Sequence, residues 1–167
     1  MTQEAVPESV ETMDNLRIAF VPDGELDPLS VADLADSTVK DVTYSLTPDG
    51  WSFPRTETEI ADPRLTLKQE GSRPGREKLG PIVLKYVYGS SADVAKAALT
   101  RGTKGTFVYR DAVPNATAWT LGQKVDTIQI VAGAQRKLPP AADGTFQVEQ
   151  TIYVIAGGLT EGATLVA

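Results

Sequence analysis

Two groups of acidic residues have spacings that could support chemistry. Asp23, Glu25 and Asp27 stand at alternate positions, as the first ligands of a calcium-binding loop do. Such a loop has glycine at its sixth position and glutamate at its twelfth, where this chain has Pro28 and Leu34. The sequence therefore argues against calcium binding at this segment.

The second group, Glu57, Glu59 and Asp62, could supply a pair of carboxylates for glycoside hydrolysis. In that reaction one carboxyl group acts as an acid and the other as a base or nucleophile, on opposite sides of a cleft. Nothing in the spacing requires a cleft, and neighbouring acids in a loop are usually only solvated. A carboxylate-based hydrolase is therefore the weakest of three hypotheses for this chain.

The sequence contains no histidine and no cysteine. The commonest general base, the commonest zinc ligands and the thiol nucleophile are all missing, so Ser-His-Asp, Cys-His and zinc chemistry are excluded. Disulfide bonds are excluded as well. We expect no enzymatic activity, no cofactor and no bound metal, and we expect stability to come from packing or from the association of subunits.

Charge is unevenly spread along the chain, which has a formal net charge of −6. Residues 1–50 hold 11 acidic and 2 basic residues, residues 51–110 hold 6 and 11, and residues 111–167 hold 5 and 3. This asymmetry is either an accident of solvation or the mark of a self-associating subunit with complementary faces. The acidic total argues against a nucleic-acid-binding protein.

The length of 167 residues fits one domain with a complete core. We expect residues 1–15, which are polar and acidic, to form a flexible N-terminal arm, and residues 16–167 to form one β domain. No apolar run approaches the roughly 20 residues that cross a bilayer. The first residues also lack the features of a signal peptide. We therefore expect a protein made in the cytosol, without membrane contact.

Short strand-like segments separated by turn signals predict a mainly β fold, an antiparallel sandwich or barrel. Pro48, Asp49 and Gly50 together predict a turn. Ser30 is the expected N-cap of a helical turn, and one short flanking α-helix is expected to open at Ser90–Asp93 and to end at a C-cap at Gly102.

A long protruding hairpin is predicted between residues 65 and 88. Its strands are residues 65–69 and 82–88, and both flank a basic tip rich in glycine and proline. The tip is a solvated hairpin end or a docking loop for an acidic neighbour, and we favour docking because ordering a long hairpin costs entropy. The tip residues are Gly71, Ser72, Arg73, Pro74, Gly75, Arg76, Glu77 and Lys78.

Several segments between Val39 and Val154 together resemble the major tail tube proteins of long, non-contractile-tailed bacteriophages (siphophages), especially those infecting actinobacteria. Their order and spacing carry the resemblance more than any single segment does. The segments are TPDGW from Thr47, DPRLTLKQ from Asp62, LKYVY from Leu84, RGTKG from Arg101, GQKVD from Gly122 and GAQRK from Gly133.

The resemblance implies a structural virion protein that assembles into hexameric rings. The rings stack into the hollow tail tube through which genomic DNA is ejected. It implies ring-to-ring contacts through the hairpin tip and the N-terminal arm. Partners would be other copies of the chain, the tape-measure protein, the tail terminator and distal tail or baseplate proteins. The protein would reside in the virion tail, after assembly in the host cytoplasm.

A lumen that lets duplex DNA slide should be acidic or neutral, because each Lys or Arg contact with phosphate would retain the DNA. Asp126 is the candidate lumen-facing acid. The alternative to a tube subunit is a monomeric β-sandwich module for binding or adhesion, or a baseplate domain.

Overall fold

The computed structural model describes residues 8–22, 29–64, 69, 71–142 and 144–167. The chain is 55% strand and 8% helix, so the predicted mainly β fold is confirmed. A 3-10 helix spans Thr43–Ser45. The strands and α-helices are β1 (Leu16–Pro22), α1 (Val31–Leu34), β2 (Lys40–Asp41), β3 (Leu46–Ser52), β4 (Arg55–Asp62), β5 (Gly71–Leu79), β6 (Ile82–Val87), α2 (Val94–Ala98), β7 (Lys104–Asp111), β8 (Lys124–Lys137) and β9 (Gln147–Thr164).

Seven strands form one antiparallel sheet in the order β2-β1-β7-β8-β9-β6-β3, which curls into a half-barrel. The other two strands, β4 and β5, form a separate two-stranded ribbon and pair with no other strand of the described residues. The main core lies on the inner face of the curled sheet, where alternate residues of the strands meet α2. Fully buried members of this cluster include Phe20, Leu84, Phe107, Ile130 and Ile152 from the strands and Leu99 beside α2.

A smaller core covers part of the outer face. Val108 and Val125 project there from β7 and β8 and pack against Leu34, Trp119 and Leu165. This second cluster is confined to one end of the sheet, because its members come from β1, β7, β8 and the segments beside α1 and the C-terminus. The outer face of β6, and that of β9 apart from Ala163, belongs to neither cluster.

Arg110 is buried in the outer-face core, with an exposed fraction of 2%. Its guanidinium donates hydrogen bonds to the carbonyl oxygens of Pro114, Thr117 and Ala118 and to Oε1 of Gln123. The guanidinium carbon also lies 4.6 Å from the centre of the Trp119 ring, a cation–π contact. Three main-chain carbonyls, the Gln123 amide oxygen and one ring therefore replace water around the two terminal nitrogens, whereas Nε has no hydrogen-bond partner among the described residues.

A buried polar network fixes α2 on the sheet. The Gln150 side chain donates to the carbonyl oxygens of Leu99 and Gly133, at 2.7 and 2.9 Å, and accepts from the Tyr86 hydroxyl at 2.8 Å. Gln135 donates to the Leu99 carbonyl as well. The carbonyl oxygen at the C-terminal end of the helix is therefore satisfied from the sheet.

The N-terminal boundary of α1 agrees with the prediction from the sequence, whereas the C-terminal boundary of α2 differs from it. Ser30 caps α1 in a reciprocal capping box with Asp33, as predicted for the N-cap. The second helix ends at Ala98 rather than at Gly102. Side chains from β8 and β9 take up the Leu99 carbonyl, so the helix stops before the glycine, which instead lies in a following turn with φ +86°.

The predicted turn at Pro48–Asp49–Gly50 is wrong, because these residues form an irregularity within β3. The strand pairs with β6 on both sides of it, through Leu46 opposite Tyr86 and Trp51 opposite Leu84. At Gly50 an added Cβ would lie 2.1 Å from the Lys85 carbonyl oxygen. Glycine is therefore required there by the close approach of β6 and not by a reversal of the chain.

We expect Gln150→Leu to lower the free energy of unfolding by about 2–4 kcal/mol, because the Tyr86 hydroxyl and the Gly133 carbonyl lose the hydrogen bonds from this buried side chain and the Leu99 carbonyl keeps only the one from Gln135. Urea unfolding followed by circular dichroism measures this. Tyr86→Phe removes only the hydroxyl and serves as the matched variant, with an expected loss of about 1 kcal/mol. Equal losses in the two variants would contradict the central role of Gln150.

Candidate functional site

Residues 71–78 form most of strand β5, so their prediction as a hairpin tip is wrong. The strand pairs with β4 from Asp62 opposite Gly71 to Arg55 opposite Leu79, and the connection between the strands therefore lies at residues 63–70. The predicted first strand, residues 65–69, falls largely outside the described residues.

Glycine and proline fit this strand for identifiable reasons. In a two-stranded ribbon each strand is an edge strand, so Pro74 can lack an N–H without breaking a ladder. Gly75 lies where the register shifts between Glu57 and Glu59, and an added Cβ there would lie 2.4 Å from Oγ1 of Thr58. The Thr58 hydroxyl accepts from the Arg76 N–H at 2.8 Å and so bridges the irregularity.

The β4–β5 hairpin continues the edge of the main sheet. It follows the β3–β6 pair, and at the junction the Gly80 N–H donates to the Pro54 carbonyl at 2.9 Å. Arg55 ties the base of the hairpin to the body through Glu161 of β9 and to its own partner strand through Glu77, both at 2.6 Å. No described residue of β4 or β5 belongs to either core cluster, and most of them are exposed.

The second margin of β9 is open over residues 153–164. On one side β9 pairs with β8 from Lys137 to Lys124, whereas on the other side it pairs with β6 only between Gln147 and Ile152. Beyond Ile152, no strand of the described chain pairs with this margin. Tyr153 and Ile155 near its start are 57% and 38% exposed. Unpaired backbone groups beside exposed apolar side chains are the features of a strand that accepts another strand.

The described part of the N-terminal arm, residues 8–15, is exposed except for Asn15 and contacts the body through Asp14. The Asn115 N–H donates to the Asp14 carbonyl at 2.7 Å, and the Tyr44 hydroxyl donates to its carboxylate at 3.1 Å. This hydrogen bond to Asp14 raises the pKa of Tyr44. Residues 1–7 lie outside the described residues.

Asp126 is half-buried on the inner face at one end of the sheet and accepts from the Gly162 N–H at 2.7 Å. It belongs to an acidic rim with Asp111 and Glu161. Burial first, and then the charges of these three acids, raise the pKa of Tyr109. Burial and Asp126 also raise the pKa of Asp111. The rim therefore concentrates negative charge beside a largely apolar core.

Opposite charges alternate across the outer face of four strands. Arg136 of β8 stands opposite Glu149 of β9, and Glu149 stands opposite Lys85 of β6. Lys85 in turn contacts Asp49 of β3 at 2.6 Å. The row of four charges is neutral in sum, and its two cations have anionic neighbours.

The carboxylates considered for hydrolysis are not arranged across a cleft. Glu57 and Glu59 are alternate residues of one exposed strand and so point to the same side of it. Asp62 instead pairs with Arg64 at 3.1 Å. Residues 23–27, the rejected calcium segment, lie outside the described residues. The described residues contain no group of three or more potential metal ligands, and no helix among them is long and apolar enough to cross a membrane.

Residues 4–167 match the protein family described as phage tail tube protein. The chain belongs to this family. A search of curated proteins finds no match. This tail tube protein is thus a structural component of the virion tail that assembles with copies of itself into a tube, and a structural family of this kind is not expected to be enzymatic.

Acidity should affect the stability of the tail tube protein through Asp111. Its raised pKa means that the ionised carboxyl destabilises the fold, and this penalty grows as the pH rises from the ordinary value of 3.8 through the folded-state pKa. We expect Asp111→Asn to raise the free energy of unfolding at neutral pH by less than about 1 kcal/mol, since the side chain is partly exposed. Below a pH of about 3 the gain should vanish.

Asp49→Asn is the matched control of opposite sign. Hydrogen bonding from Lys85 lowers the pKa of Asp49, so its charge stabilises the fold above the ordinary pKa and this contribution disappears in acid. Unfolding by urea across a pH series measures both variants. A change of the same sign in both at neutral pH would contradict these assignments.

Proposed function

We propose that this chain forms hexameric rings, and that the rings stack into the hollow tube of a long, non-contractile phage tail through which genomic DNA is ejected. The open margin of β9 over residues 153–164 carries the proposal. A free edge of this length is an aggregation hazard unless something covers it. A neighbouring subunit is the cover that a tube supplies.

Ring closure follows from the asymmetry of the two ends of the sheet. At one end lie β2 and β1, and at the other lie β3 and the uncovered length of β9. Contact between unlike edges is heterologous, and such contacts close into a ring when the rotation between neighbours permits. Each subunit then contacts one neighbour through its β1–β2 end and the other neighbour through its β3–β9 end, so that the sheets of successive subunits continue around the lumen.

Rings are proposed to stack through the hairpin and the N-terminal arm. The hairpin leaves the body at Pro54 and Gly80, and residues 71–78 bring Arg73, Arg76 and Lys78 to its surface. Arg73, Arg76 and Lys78 form no ion pair within the described ranges. Their charges are therefore available to an acidic surface of the next ring, such as the acid-rich N-terminal third.

The lumen is proposed to carry little free positive charge. Asp126 and its rim would present carboxylates to the passing DNA. Phosphates then find few cations to displace their counterions, so the DNA can slide. Further proposed partners are the tape-measure protein, the tail terminator and distal tail or baseplate proteins, with assembly in the host cytoplasm.

Electron microscopy of the purified protein tests the proposal, with rings or hollow filaments as the expected result. The control variant replaces residues 55–79 by two glycines across the Pro54–Gly80 junction. Because the described hairpin residues are absent from both cores, we expect this variant to fold with nearly unchanged thermal stability and to form no tube. Stable wild-type monomers at high concentration would instead favour a monomeric binding or baseplate module.

The double variant Arg73→Glu, Arg76→Glu tests the part that the hairpin cations play in assembly. Both side chains are exposed, so we expect an intact fold, while reversed charge should repel the acidic surface of the next ring. We expect no filaments, and Arg101→Glu is the matched change of an exposed cation outside the hairpin. Filaments of wild-type length in the double variant would refute this role for the hairpin.

A further inference from the structure

The two faces of the β4–β5 hairpin carry opposite charge. Paired residues of an antiparallel ribbon share a face, and successive residues alternate between faces. The pairs Glu57–Glu77 and Glu59–Pro74 therefore lie on one face, here called the acidic face. The pairs Thr56–Lys78 and Ile60–Arg73 lie on the other, here called the basic face.

Negative charge on the acidic face is not balanced within the hairpin. Glu57 stands directly opposite Glu77, an arrangement of like charges that destabilises a strand pair. Arg55 contacts Glu77, but it is shared with Glu161 of the body. Glu57 and Glu59 are exposed and have no ion-pair partner among the residues described.

Positive charge on the basic face is likewise unbalanced. Arg73 and Lys78 are exposed, and neither has an ion-pair partner in the described part of the chain. Asp62 lies on this face, but Arg64 already neutralises it. Ile60, 41% exposed, lies directly opposite Arg73 on this face.

Small residues lie on the acidic face at the level of Ile60. Ala61 is its neighbour in β4 and points to the opposite side, where it pairs with Ser72. The acidic face thus has a shallow apolar position where the basic face has a protruding isoleucine. Charge and shape are both complementary between the two faces of one hairpin.

We infer that the hairpins of adjacent copies in a ring pack side by side, with the basic face of each on the acidic face of the next. The inference rests on the proposed ring and identifies the partner of the hairpin as the same hairpin of a second copy. Stacked β-ribbons lie about 10 Å apart, which brings facing charges within reach of one another. Head-to-tail repetition around a closed ring covers both faces of every hairpin.

Such packing would also supply what an isolated hairpin lacks. A lone two-stranded ribbon is marginally stable in water. Cations of the neighbouring basic face relieve the repulsion between Glu57 and Glu77, and Ile60 is buried against Ala61 of the neighbour. The packed hairpins of one ring then form a single rigid surface that the next ring can contact.

Charge exchange tests the inference with the full-length chain. Glu57→Lys with Glu59→Lys makes both faces basic, and Arg73→Glu with Lys78→Glu makes both faces acidic. At low salt we expect each pair of substitutions to raise the critical concentration for assembly at least about tenfold. The quadruple variant, which exchanges the two faces, should assemble as the wild type does.

A second experiment mixes the variant whose two hairpin faces are both basic with the variant whose two faces are both acidic. An equimolar mixture should assemble although neither variant does so alone, because basic and acidic hairpins can alternate around a ring with an even number of copies. Failure of both the quadruple variant and the mixture would overturn the inference and would indicate that the basic face meets the body of another ring. Circular dichroism of each variant verifies that the fold is intact.

Cross-linking detects the pairing of hairpins whether or not tubes form. The chain has no cysteine, so Ile60→Cys on the basic face and Ala61→Cys on the acidic face provide unique thiols. A bismaleimide with a reach of about 10 Å should join the two variants to each other much faster than either to itself. Faster self-linking of Ile60→Cys would overturn the head-to-tail arrangement. Hairpin pairing without wild-type tubes would support this inference while refuting the proposed tube.

Discussion

Backbone hydrogen bonds between β8 and β9 hold the sheet together along most of its length. The two strands span Lys124–Lys137 and Gln147–Thr164, whereas β6 on the far side of β9 spans only Ile82–Val87. This difference in length leaves β9 beyond Ile152 with β8 as its one partner strand among the described residues, and that pairing is irregular between Val154 and Leu159. The unfinished margin is therefore a direct result of strand lengths, and covering it calls for a second chain.

The hairpin is the second consequence of the same sheet edge. Where β9 loses β6 as its neighbour, the β3–β6 pair passes into the β4–β5 ribbon at Pro54 and Gly80. Arg55 bridges from the ribbon to Glu161 on the uncovered margin of β9. One end of the molecule therefore carries both an open strand and a projecting ribbon, and a neighbouring copy can engage both surfaces together.

Local signals predicted the features that depend on neighbouring residues. Ser30 caps α1 because a serine followed by Asp33 satisfies the first turn within the segment itself. The mainly β class followed from short strand-like segments separated by turn signals, such as the segment with Ile82, Leu84 and Tyr86, all of which are buried. These signals do not depend on which strands are paired.

Features that depend on pairing were not predictable in this way. Residues 48–50 and 71–78 carry the glycine and proline of turns, yet both lie in strands because a partner strand at that point accommodates an irregularity. The division of charge between the hairpin faces is also hidden in the sequence. A slip of one residue in the register of β4 and β5 would place Glu57 and Lys78 on the same face.

The environment of Arg110 determines which side chains of the neighbouring loop can be substituted during evolution. Its guanidinium is held by three main-chain carbonyls, one amide oxygen and one indole ring, and the carbonyl oxygens are present whatever side chains stand at positions 114, 117 and 118. The path of the β7–β8 connection is thus specified by Arg110, Trp119 and Gln123. Apart from Asn115, whose side-chain amide donates to the Leu16 carbonyl, the side chains of that loop can therefore vary while the path of its backbone is kept.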